Sequence, residues 1–136
     1  MPHLTSTEFA GRIEELYGAP LAALETHAQD QPQGMLAALL GSHHDIALAE
    51  RSIAFHRERL AQLVAPDWEI GTHEVSHVLD CARRLAEAVA VRDVQAKTAS
   101  AVLRSLGRVH PPEPSTAPVH AVPAAPAMAA SPAPSR

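Results

Sequence analysis

Between Met35 and Leu106 the chain contains one proline, Pro66, set in the stretch Ala65-Pro66-Asp67-Trp68-Glu69-Ile70-Gly71. Proline breaks a helix because it lacks the N–H the ladder needs and its ring clashes with the preceding turn. Pro66 and Gly71 therefore mark one turn between two long proline-free segments. In the first, Leu36, Leu39, Leu40, Ile46, Ala47, Ile53, Ala54, Leu60, Ala61 and Val64 recur at helical spacing. This predicts one apolar face on a helix over 35–64. The second segment predicts a helix from Thr72, read as its cap, to Leu106, with Gly107 as its stop. A chain built this way has to fold around a helical hairpin.

The second helix does not keep its apolar residues on one line. Val75, Val78, Ala82, Leu85 and Val89 share a face, whereas Val91, Val94, Thr98 and Val102 fall nearly opposite. That pattern predicts either a bend near Ala90–Asp93 or different neighbours at the two ends. Val91, Val94 and Val102 become candidates for an interface with a second copy. Trp68 in the turn is expected to pack back on the bundle; an exposed Trp68 would instead mark a binding surface.

Ahead of the hairpin, Ser6-Thr7-Glu8 offers a cap and an early acid for a helix carrying Phe9, Ile13, Leu16 and Tyr17. Gly18-Ala19-Pro20 ends it, and Pro20 can open a short helix with Leu21 and Leu24. Aromatic residues make up 3% of the chain and strand-favouring runs are absent, which argues against an extended sheet. The fold class expected is all-α: a three- to four-helix bundle dominated by a long helical hairpin, with a disordered C-terminal tail. Residues 1–5 are read as a flexible N-terminus, 6–108 as the helical domain, and 109–136 as the tail. The tail is rich in Pro and Ala and has too few large apolar groups to offset its ordering entropy. It is read as a solvated segment or a docking peptide for a partner.

The formal net charge of −4 shows no basic stripe, so no nucleic-acid partner is expected. One cysteine, Cys81, rules out an intrachain disulfide. No apolar run approaches a membrane span and no secretory leader is visible, so a cytoplasmic location is expected.

Two polar patterns stand out. Spaced by seven from Leu36, His43, Glu50 and Arg57 run along the middle of the first long helix. They are either edge residues, with Glu50 paired to a base on another helix, or a polar cluster that fixes register or forms a site. The other is His73-Glu74-Val75-Ser76-His77, which spells H-E-x-x-H. On a helix that spelling resembles the zincin metallopeptidases, where the resemblance implies two zinc-binding histidines and a glutamate acting on bound water. The chain departs from that family: its longer motif would place Gly at 80 and His at 83, where Asp80 and Arg83 stand. Around the helix, both histidines point away from the expected core face. A narrower metal reading keeps His73, His77 and Cys81 as a surface line for zinc or a similar metal.

A Trp-containing turn between two long helices also resembles the WXG100 helical hairpins. That family has Trp-x-Gly in the turn, whereas this chain reads Trp68-Glu69-Ile70-Gly71, and no function is carried across. The expectation is a non-enzymatic helical interaction or regulatory module without a cofactor, partnered by itself or another protein through its last helix. The alternatives are a zinc-binding protein or hydrolase using His73 and His77, and a nucleic-acid-binding regulator.

Overall fold

The computed structural model describes residues 3–107. Four helices in chain order, and no strand, make up this part: α1 (Ser6–Tyr17), α2 (Leu21–Asp30), α3 (Met35–Leu63) and α4 (Thr72–Gly107). The Pro/Ala-rich segment read as a tail lies outside the described residues.

The cap of α1 lies one residue ahead of the Ser6-Thr7-Glu8 stretch expected to supply it. Thr5 is the cap, its hydroxyl accepting from the Glu8 N–H at 3.2 Å while the Glu8 carboxylate accepts from the Thr5 N–H at 2.9 Å. This reciprocal box satisfies donors that a helix start otherwise leaves open. Ser6 and Thr7 are inside the helix and not its cap. The helix closes at Gly18, whose φ of 69° is the left-handed conformation that glycine adopts without a Cβ clash. Its N–H bonds to the Glu14 carbonyl at 2.7 Å, and Pro20 then precedes α2.

Residues 3–5, read as part of a flexible N-terminus, are held. Leu4 packs against the core, Thr5 caps α1, and the His3 ring lies 3.5 Å from the Asp93 carboxylate. The single apolar side chain at position 4 supplies the packing that ties the segment down.

α3 and α4 pair antiparallel. Toward the turn, the Cys81 thiol lies 3.3 Å from the His56 carbonyl; toward the open end, Ile46 packs with Ala99 and Leu103. On α3 the buried residues are Leu39, Ile46, Ala49 and Ile53. Leu39, Ile46 and Ile53 are seven apart, the repeat of helices that wind past each other at a shallow angle. Ala54, Ala61 and Val64, assigned to the same face from spacing, are exposed.

On α4 the buried residues are Cys81, Ala88, Ala96, Ala99 and Leu103. No break interrupts the helix at Ala90–Asp93. The seam is therefore built mainly from small side chains, and Val75, expected in the core, is exposed. Small residues let two helix backbones approach closely, so the alanines carry the contact and larger neighbours sit at its margins.

α1 and α2 close the open end of the hairpin. Phe9, Ile13 and Leu24 are buried against Leu39, Ile46, Ala99 and Leu103, with Leu36, Val102 and Leu106 packed at the edge. Each large side chain taken from water here contributes about 1.5–3 kcal/mol. Phe9 and Ile13, both 0% exposed, make α1 an integral part of the domain. No helix among the described residues is long and apolar enough to cross a membrane.

Candidate functional site

The line His43, Glu50 and Arg57 does not form a cluster. The Glu50 carboxylate reaches α1, accepting from the Ser6 N–H at 2.9 Å and from the Ser6 hydroxyl. A negative charge at a helix N-terminus is favoured both by the open N–H groups and by the helix dipole. Glu50 is thus paired with a helix end and not with a base. Arg57 is exposed and His43 is half-buried; neither bonds to Glu50. Seven residues are about two helical turns, or about 10.5 Å of rise, so side chains at this spacing share a side of the helix without touching.

Glu50 and Asp93 show which side of the hairpin α1 occupies. Glu50 holds Ser6, and Asp93 faces His3. Two residues before each, on α3 and α4, stand Leu48 and Val91. A two-residue step turns about 200° around a helix, so both lie on the side away from α1. There they line one groove of about 300 Å³ together with Asp45, Ala49, Ser52, Ala88 and Gln95.

A second groove follows on α3 and α4 toward the turn, lined by residues that include Phe55, His56, Leu63, His77, Asp80 and Arg84. At the turn, Trp68 borders a third with Arg59, Gln62, Leu63 and Glu74. Phe55 is 63% exposed and Trp68 69% exposed. Trp68 therefore does not pack back on the bundle. Its backbone N–H bonds to the Ala65 carbonyl at 3.1 Å, which closes the turn.

Of the interface candidates, Val91 lines the first groove, and Val94 is exposed one turn further along α4. Val102 is different. It packs against Phe9 and its neighbours at the edge of the main core and is not part of that surface. α1 and α2 cover the end of α4, so a valine there meets the bundle. Leu48 and Phe55 were not legible as surface candidates, although their seven-residue spacing is a second apolar stripe along α3.

The H-E-x-x-H stretch opens α4. The Gly71 carbonyl accepts from the Val75 N–H at 3.1 Å, and the Glu74 carboxylate accepts from the Gly71 N–H at 3.0 Å. Gly71 therefore takes the cap position, and Thr72 is the first helical residue. Glu74, the residue that would act on zinc-bound water in a zincin, is engaged with the helix start. His73 and His77 are exposed, with their Nε2 atoms 3.0 Å apart and their rings nearly perpendicular. Cys81 does not join them: it is buried in the α3–α4 seam, where its thiol donates to the His56 carbonyl. An eight-residue step turns a helix about 80°, which carries Cys81 from the histidine side into the seam. Among the described residues no group of three His, Cys, Asp or Glu is arranged to hold a metal ion.

One turn along α4, Asp80 accepts from Arg83 at 2.8 Å and from Arg84 at 3.0 Å. The hydrogen bonds from Arg83, then Arg84, hold its carboxyl below the usual aspartate range. The pairs are solvent-exposed, so they order the groove wall and contribute little to stability.

The chain matches no protein-family model, no curated protein and no solved structure.

Proposed function

We propose that this chain is a non-enzymatic helical interaction module that self-associates through the side of the α3–α4 hairpin facing away from α1. The observation that supports it is the series of exposed large apolar residues Leu48, Phe55, Val91 and Trp68, which no other described helix covers, along three grooves that follow one another toward the turn. Several large apolar side chains on one side, rimmed by charges such as Asp45, Arg59 and Arg84, mark a contact site more often than scattered single residues do. A second hairpin laid on this side makes a four-helix layer, the arrangement in which two such faces exclude water from each other. The net charge of −4 weighs against a nucleic-acid partner.

Sedimentation of the full chain across a concentration series tests this. The expected result is a dimer that Phe55→Glu with Val91→Glu abolishes while the melting temperature stays close to that of the parent. A chain monomeric at every concentration overturns it. Val102→Glu serves as a contrast: it places a charge at the main core and is expected to unfold the domain, not to dissociate it.

A further inference from the structure

The histidine pair on α4 is the cluster that the interaction surface does not account for. We propose that His73 and His77 form a two-imidazole clamp for a borderline divalent transition cation of the zinc class, and that the same clamp on a second copy completes its coordination. This rests on the self-association reading for the second copy.

The geometry carries the first half. The two Nε2 atoms already converge to 3.0 Å. Two imidazole nitrogens bound at about 2.0–2.1 Å to one tetrahedral zinc stand about 3.3 Å apart. To hold a metal the nitrogens therefore have to separate by only a few tenths of an ångström, while the rings turn so that both Nε2 lone pairs face the ion instead of each other. Both side chains are exposed, and among the described residues each bonds only to the other. In the His73–His77 hydrogen bond one ring donates its Nε2 proton to the other. With metal bound, both rings carry their proton on Nδ1 and present Nε2 lone pairs.

The remaining donors of α4 decide the second half. Asp80 is committed to Arg83 and Arg84, Cys81 to the seam, and Glu74 to the Gly71 amide. Among the described residues the chain thus supplies half of a four-ligand set. His77 lines the same groove as Phe55, so a two-fold contact on that groove brings a second pair to the metal. Glu74 is engaged at the cap and Asp80 with two arginines, so neither neighbouring carboxylate of α4 is free to activate a metal-bound water. The site is a clasp, not a hydrolytic centre.

Titration calorimetry and sedimentation of the untagged full chain with zinc chloride, against a chelator control, test this. The expected result is half an equivalent of zinc per chain and dimerisation at a concentration at least roughly tenfold lower than in chelator. His73→Ala with His77→Ala should lose the zinc effect and keep the zinc-free association. Absence of zinc binding, or binding unchanged in that double variant, overturns the clamp. One equivalent of zinc on an unaltered mass overturns the bridge between copies. A chain monomeric in chelator that still dimerises on half an equivalent of zinc supports the clasp and overturns the apolar self-association alone.

Discussion

The carboxylate of Glu50, midway along α3, closes the N-terminus of α1 by accepting from the Ser6 N–H at 2.9 Å. One side chain of the hairpin thereby positions the helix that seals its open end. It also helps decide which side of the hairpin α1 leaves uncovered. Removing the carboxylate leaves the Ser6 donors at a half-buried helix start without their partner. Hydrogen bonds to a charged group contribute about 1.5–3 kcal/mol, and Glu50→Ala is expected to cost that much in urea denaturation. Glu50→Gln should recover part of it, since the amide oxygen still accepts while the charge at the helix end is lost. Faster amide exchange confined to α1 and α2 would locate the effect. A Glu50→Ala protein with unchanged stability would show that the contact does not hold α1.

The small-residue seam makes a prediction about size. Ala99 is 2% exposed in the core where α4 meets Ile46, whereas Ala101, two residues away, is exposed. Ala99→Leu should destabilise the domain by about 1–3 kcal/mol, because a closely packed core has no room for the added carbons. Ala101→Leu, on the outer face, should stay within about 0.5 kcal/mol of the parent. Denaturation midpoints of the two variants provide the comparison; equal effects would mean that the helices do not approach through Ala99.

Acid should loosen the first turn of α1. The hydrogen bond from the Thr5 backbone, then that from its hydroxyl, holds the Glu8 carboxyl below the usual glutamate range. A group whose pKa is depressed on folding adds stability above its unfolded pKa, and that contribution is lost as pH falls through the folded value. The Asp80 carboxyl behaves in the same sense. Melting temperature is therefore expected to be level at neutral pH and to decline through the acidic carboxylate range. Glu8→Gln should flatten part of that decline. A slope identical to that of the parent would mean that the capping box does not persist in solution.

The Pro66–Gly71 break, the proline-free runs and the Gly18-Ala19-Pro20 stop were enough to place four helices, because each acts through local backbone chemistry. The same local rules put His73 and His77 on an outer face. Other features depended on which surfaces meet. Leucine and valine spacing pointed to Val75 and Val102 as surface or seam in the wrong order, since α1 and α2 cover the far end of α4 and alanines close the gap between α3 and α4. Glu50 was visible as a polar residue amid an apolar helix, but its partner, the Ser6 amide, is 44 positions away. Cys81 continues the histidine line in spacing, but its thiol is buried in the seam. Sequence alone determined where the chain is helical, through backbone restrictions that act within a few residues. The tertiary structure decided which helix sides are buried and which remain open, because that depends on how closely two backbones approach and on which element covers the gap.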